Sequence, residues 1–236
     1  MMDEETQEDS LGNSISYRKN KIFVVGGGDG GKTSIINRII DGSWKDTYEI
    51  TIGIDIFNKI IKFRGQNIKI QILDTSAQDR YKALIPSYIR DSSIVFIVYD
   101  VCQRSNFEDI KSWITFIKKF EVKIVVLVGN KIDLERREVE TKEGKELAEK
   151  EGLYFFECSA KTNENIMNLF YSSIAKLPIF KIDNESERDN IVRELIEENR
   201  LGGFKEDIGN QDLIVIKESK ISGDGLFPKR RKKCYK

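Results

Sequence analysis

The sequence predicts an α/β fold of three layers: a six-stranded, mostly parallel sheet with one antiparallel strand and helices on both faces. Three observations carry this. Short β-branched runs alternate along the chain with segments of helical spacing, the pattern of crossover connections and parallel strands. Ile94–Asp100 (IVFIVYD) and Lys123–Gly129 (KIVVLVG) are almost wholly apolar without alternation, as expected of central strands covered on both faces. Asp55–Phe63 (DIFNKIIKF) and Asn67–Asp74 (NIKIQILD) flank Arg64-Gly65-Gln66 and read as a hairpin, which supplies the antiparallel pairing.

The bulk properties narrow the function. With 236 residues and 39% hydrophobic content, the chain can hold one sizeable core plus tails. Acidic and basic residues balance at 39 each, so there is no general nucleic-acid footprint. Histidine is absent, which excludes Ser-His-Asp and Cys-His catalysis and every histidine-containing zinc site. Cys102, Cys158 and Cys234 are scattered, which argues against a disulfide framework or metal cluster and fits a reducing, cytosolic setting. The first ten residues are polar with five acids, so no signal peptide is expected, and no apolar run approaches membrane-spanning length.

Residues 1–18 lack periodicity and read as a disordered acidic arm. A strand at Lys21–Val25 (KIFVV) then runs into Gly26–Ser34 (GGGDGGKTS), followed by helical spacing over Ser34–Ile40. A glycine-rich turn between strand and helix, matching Gly26-x-x-x-x-Gly31-Lys32-Thr33, is the phosphate-binding loop pattern. Its successive N–H groups and the helix N-terminus face an anion. Gly28, Asp29, Gly30, Gly31, Lys32, Thr33 and Ser34 are the phosphate-binding candidates, with Lys32 reaching the β- and γ-phosphates and Thr33 binding Mg²⁺. The polar stretch Asp41–Thr51 reads as a lid or effector loop, or as an ordinary surface turn.

The second hairpin strand ends in Asp74, an acid at the tip of an apolar strand. In phosphate-loop proteins such an acid holds Mg²⁺ through water; elsewhere it commonly forms a turn. Phe107, Ile110, Trp113, Ile114, Ile117 and Phe120 keep three-to-four spacing and predict a helix whose aromatic stripe is core. Further helices are expected over about Thr141–Glu151, stopped by Gly152, and Glu164–Leu177, ended by Pro178, with a strand at Tyr154–Cys158 between them. Gly26, Asp74 and Asn130 all fall at carboxyl ends of strands, where such sheets bind ligands. The main domain is expected over residues 19–180. Residues 181–236 read as a largely disordered, hypervariable tail with a weak helix at Glu187–Leu201 and a basic end, Pro228–Lys236 (PKRRKKCYK).

Asn130-Lys131-Ile132-Asp133 and Ser159-Ala160-Lys161 resemble the guanine-reading motifs of small GTPases. The chemistry suits the base: Asp133 would accept the guanine N1–H and N2–H together, and adenine offers neither donor there. Lys21–Leu177 as a whole resembles the Rab branch of the Ras superfamily, and so implies the P-loop GTPase fold. Ile52-Gly53-Ile54-Asp55 is similar to the Rab switch I signature, and Asp74–Arg80 (DTSAQDR) to the switch II stretch DTAGQER. Ile85–Ser92 (IPSYIRDS) is most similar to the Golgi-associated, retrograde-trafficking Rabs.

The resemblance implies site residues. Thr33, Thr51 and Asp74 would serve Mg²⁺, Thr51 and Ala77 the γ-phosphate, and Gln78 would orient the attacking water as the catalytic residue. Trp44 would pack on the guanine edge with Asn130, Lys131, Asp133, Ser159, Ala160 and Lys161 around the base. No arginine finger is evident in cis, so slow intrinsic turnover and an activating protein are expected, together with an exchange factor and effectors at the switches.

Four departures accompany the resemblance: Ala77 at the switch II glycine, Leu73 at a usual tryptophan, Asp29 inside the phosphate loop, and Cys234 followed by Tyr235-Lys236, neither a C-a-a-X box nor a two-cysteine ending. The reading is a monomeric GTP/GDP switch of vesicle and protein transport, cytoplasmic and peripheral on endomembranes, Golgi favoured. Cys234 is the lipidation candidate beside the basic run, which also reads as a solvated or nuclear-import tail. The competing readings are a hydrolysis-deficient guanine-nucleotide scaffold and a generic ATPase.

Overall fold

The computed structural model describes residues 4–8, 14–18, 20–47, 50–76, 85–180, 182 and 184–201. β1 (Glu4–Glu8) and β2 (Ser14–Arg18) form a small antiparallel sheet of their own, from Glu4 opposite Arg18 to Glu8 opposite Ser14. These two strands lie within the stretch read as an acidic arm. Antiparallel pairing satisfies backbone N–H and C=O groups and needs no alternating apolar face, so periodicity has nothing to detect.

The main sheet contains β3 (Asn20–Gly26), β4 (Ile54–Phe63), β5 (Gln66–Thr75), β6 (Ile94–Asp100), β7 (Ile124–Asn130) and β8 (Tyr154–Glu157), in the order β4-β5-β3-β6-β7-β8. Only β4 and β5 pair antiparallel, with Ile54 opposite Thr75 and Phe63 opposite Gln66; the other pairings are parallel. The predicted six strands and single antiparallel partner are what the structure has. β6 is buried along its whole length, as its unbroken apolar run requires.

Helices cover both faces. α1 (Lys32–Asp41), α5 (Ile166–Ile174) and α6 (Glu185–Leu201) pack on the side of Ile22, Val24, Ile70, Ile72, Phe96 and Val98. α2 (Ile85–Ile89), α3 (Arg104–Ile117) and α4 (Thr141–Glu151) cover Phe23, Val25, Leu73, Val95, Ile97 and Tyr99. Successive residues of β3 serve opposite cores, the two-residue period of a strand. α5 is shorter than the expected Glu164–Leu177. α2 was not foreseen as an element, and one turn of helix carries too little periodicity to be seen.

The helix expected at Glu187–Leu201 is present as Glu185–Leu201, docked on the domain. Ile191, Val192 and Leu195 are buried in the core with Phe180. Asn199 reads the edge strand like a neighbouring backbone: its Oδ1 accepts the Lys62 N–H at 2.9 Å and its Nδ2 donates to the Lys62 carbonyl at 2.8 Å. α6 thereby covers part of an edge that would otherwise offer unpaired groups. The basic run and Cys234 lie outside the described residues.

Candidate nucleotide-binding site

The phosphate loop links β3 to α1 at the carboxyl edge of the sheet. Gly31 ends it in the left-handed region, at φ 84°, and a Cβ there would sit 2.2 Å from Asn130 Nδ2; both facts demand glycine. Asp29 is also left-handed, at φ 60°, a conformation that aspartate tolerates better than most residues, and it is exposed. Lys32 is buried, and its Nζ donates to the carbonyls of Gly27 at 2.7 Å and Gly26 at 3.3 Å. Burial lowers its pKa, opposed by the charges of Asp74 and Asp29. A cation held against a glycine-rich loop at a helix N-terminus suits an anionic phosphate chain. Gly28 and Gly30 lie within the loop, and Ser34 in the first turn of α1.

Three oxygen-bearing side chains from distant segments meet beside it. Thr33 Oγ1 donates to Asp74 Oδ2 at 2.6 Å, Thr51 Oγ1 to the same oxygen at 3.3 Å, and the two hydroxyls lie 2.9 Å apart. Asp74 is fully buried, and burial pushes its carboxyl up to about 6 despite the Thr33 hydrogen bond and the Lys32 charge; Asp55 adds to the rise. Its Oδ1 has no hydrogen-bond partner among the described residues. A buried carboxylate with one orphaned oxygen is poised for a cation. The donors are all hard oxygens, as Mg²⁺ prefers, so Thr33, Thr51 and Asp74 fit the ion expected of them.

The base-reading residues gather at the ends of β7 and β8. Asn130 is buried and joins both ends of the site: its Nδ2 donates to the Gly30 carbonyl at 2.9 Å, and its Oδ1 accepts the Ala160 N–H at 3.1 Å. Ser159 Oγ donates to Asp133 Oδ1 at 2.6 Å while accepting the Thr162 N–H at 3.0 Å, which fixes the carboxylate's orientation. Lys161 Nζ lies 5.8 Å from the centre of the Trp44 ring, so these two expected walls of the base pocket are neighbours. Lys131 stands at φ 70°, and its ammonium pairs with buried Asp100 at 2.7 Å, leaving its stem as the part that can cover a ligand.

With this geometry in hand, a model of the Ras family matches residues 21–178. The chain belongs to the Ras family. It is therefore a small GTPase switch of the Ras-like P-loop fold. Ras-family GTPases in general bind guanine nucleotides with Mg²⁺ and work with exchange factors, activating proteins and effectors.

Within this Ras-family domain, the structure brings the phosphate-loop, Mg²⁺ and base-reading candidates to one edge of the sheet. Gln78, Ala77 and Cys234 lie outside the described residues. Three contributors escaped the sequence reading. Arg38 of α1 donates from Nε to the Ala160 carbonyl and from Nη2 to the Lys161 carbonyl, each at 2.7 Å. Asp100 anchors Lys131, and its only signal was its place at a strand tip, the same as that of Asp74. Asn106 of α3 donates to the Gly28 carbonyl at 2.5 Å, with no sequence signal at all.

Proposed function

We propose that this small GTPase is a Rab-type switch of vesicle and protein transport that binds guanine through Asp133 and hydrolyses GTP slowly. The observation that carries guanine selectivity is the Asp133 carboxylate, oriented by Ser159 at 2.6 Å beside the motif that shares Asn130 with the phosphate loop. A carboxylate fixed there accepts two donors from guanine and none from adenine, leaving the acid unpaired with the wrong base. Ile52-Gly53-Ile54-Asp55 and Ile85–Ser92 support the Rab assignment and, with it, a peripheral place on endomembranes, Golgi membranes favoured.

The chain's own contribution to hydrolysis is positional and electrostatic. Lys32 and the loop amides hold the phosphates, Thr51 closes on the γ-phosphate, and Gln78 orients the water. Thr33, Thr51 and Asp74 would hold Mg²⁺, which would supply neutralising positive charge beside the phosphates. When the γ-phosphate leaves, Thr51 and the Ala77 segment lose their shared partner and the switch relaxes.

A second reading, a nucleotide-holding scaffold that barely hydrolyses, rests on Asp29, whose exposed carboxylate adds negative charge beside the phosphates. Identifying the nucleotide carried by purified protein, then following phosphate release from the GTP-loaded form, separates the readings. GTP turnover resisting competition by ATP supports the switch. Retained GTP without phosphate release supports the scaffold. The lysine and arginine run Lys229–Lys233 beside Cys234 supplies the membrane attachment, one lipid chain plus a basic patch. An unmodified C-terminus in intact-mass measurement of the native protein would remove the lipid.

A further inference from the structure

A phosphate site made of backbone N–H groups works only if the carbonyls between them point elsewhere, because a carbonyl oxygen turned inward repels the anion. In this loop, side-chain donors hold four carbonyls. Lys32 Nζ takes those of Gly26 and Gly27, Asn130 Nδ2 takes that of Gly30, and Asn106 Nδ2 takes that of Gly28 at 2.5 Å. Lys32 and Asn130 belong to nucleotide motifs. Asn106 belongs to none; it reaches the loop from 78 residues away.

We propose that Asn106 is a positioning residue of the phosphate site. It holds the Gly28 carbonyl outward and so aims the peptide groups that follow it, beginning at left-handed Asp29, toward the phosphates. The proposal rests on the reading of residues 26–34 as a phosphate site. The tie point is rigid: Asn106 is 6% exposed and sits in the first turn of α3, whose Phe107, Ile110 and Ile114 are fixed in the core. Glycines at 27 and 28 leave the loop free to turn its peptides, so an external tether is what sets them. Gly27 also makes room for the tether. A Cβ there would lie 2.6 Å from Asn106 Oδ1, 2.7 Å from Nδ2 and 2.8 Å from Cγ. The Oδ1 itself is buried with no hydrogen-bond partner among the described residues. An unpaired buried acceptor weakens the fold, so fold stability alone gives no reason for an amide here. What the amide supplies is the N–H on Gly28.

The test begins with full-length protein loaded with fluorescent GDP and Mg²⁺. Asn106→Asp keeps the size and an acceptor but removes the donor. It should release GDP about ten-fold faster, because it loses one hydrogen bond and adds a negative charge beside the Gly28 carbonyl. It should also shift the ³¹P resonance of the GDP β-phosphate, while preference for guanine over xanthine nucleotide stays unchanged. Asn106→Ala should speed release about five-fold. Gly27→Ala should release GDP faster than wild type, and Gly27→Ala with Asn106→Ala should recover part of that loss, since the clash is removed. A purely structural role would lower the melting temperature without moving the ³¹P spectrum or producing the rescue. Wild-type release rates and an unshifted spectrum in both Asn106 variants, or a double variant no better than Gly27→Ala, would overturn the proposal. Wild-type protein that retains no guanine nucleotide at all would overturn the phosphate-site reading beneath it, a result told apart by its appearance before any substitution is made.

Discussion

Asp74 offers the sharpest quantitative prediction. Its carboxyl is fully buried, and burial pushes it up to about 6 from the ordinary 3.8. The folded state thus binds this proton more tightly than the unfolded chain does. The associated stability is complete below pH 3.8 and is lost as pH rises through 6. A rise of about two pKa units corresponds to about 3 kcal/mol, so at pH 7.5 the ionised, metal-free site weakens the fold by that order. Asp74→Asn imitates the protonated acid and cannot ionise. In EDTA without nucleotide, urea unfolding should find the variant more stable than wild type by up to about 3 kcal/mol at pH 7.5, with the gap closing toward pH 4. Adding Mg²⁺ and GDP should reverse the order, because only wild type has the carboxylate that binding rewards. A variant less stable than wild type in EDTA at pH 7.5 would refute the burial argument. A variant stabilised by Mg²⁺ and GDP as much as wild type would refute the assignment of Asp74 to the ion.

Asp133→Asn should shift preference from guanine toward xanthine nucleotides, because the amide offers a donor to the purine 2-oxo group; competition binding would show it, and unchanged GTP affinity would contradict the pocket. Asp29→Gly should slow release of labelled GDP by removing a negative charge beside the phosphates. Ala77→Gly should speed single-turnover hydrolysis roughly ten-fold if the switch II backbone needs positive φ, which costs alanine about 1–2 kcal/mol. Leu195→Ala should lower unfolding free energy by about 2–5 kcal/mol, the usual range for an emptied core site, and chemical denaturation would reveal whether α6 is part of the cooperative unit.

The sheet and the nucleotide motifs were legible because both are written locally. Ile94–Asp100 announces a central strand by its composition alone. Gly31, Lys32 and Thr33 announce a phosphate loop because the glycine backbone, the cation and the hydroxyl must be adjacent to act on one ligand. The β1–β2 pairing was illegible because it is made by backbone groups, which every residue carries. The docking of α6 was illegible for a related reason: Asn199 succeeds by imitating a peptide group of the edge strand, and a polar amide on a charged helix gives no sign in the sequence of what it pairs with. From the sequence Asp74 reads as either a metal ligand or a turn-former, and its burial, its orphaned Oδ1 and the convergence of Thr33 and Thr51 on its other oxygen favour the first.

What sequence adjacency hides most completely is the bracing between motifs. Arg38 touches Ala160 from 122 residues away, and Asn130 touches Gly30 from 100. Arg38 ties the base-reading loop to α1, and through Asn130 the loop that reads the base and the loop that holds the phosphates share hydrogen bonds. Each keeps the other's backbone in place, so neither is an independent module. A substitution at Asn130 therefore cannot act on base recognition alone. It frees the Gly30 carbonyl beside Gly31, leaves the Ala160 N–H without its acceptor, and so loosens phosphate and base together. The same reasoning separates Asn130 from Asp133, whose carboxylate contacts Ser159 and none of the phosphate-loop residues. Base recognition can be changed at Asp133 without disturbing the phosphate loop but not at Asn130, and the difference follows from which side chain bridges the two loops.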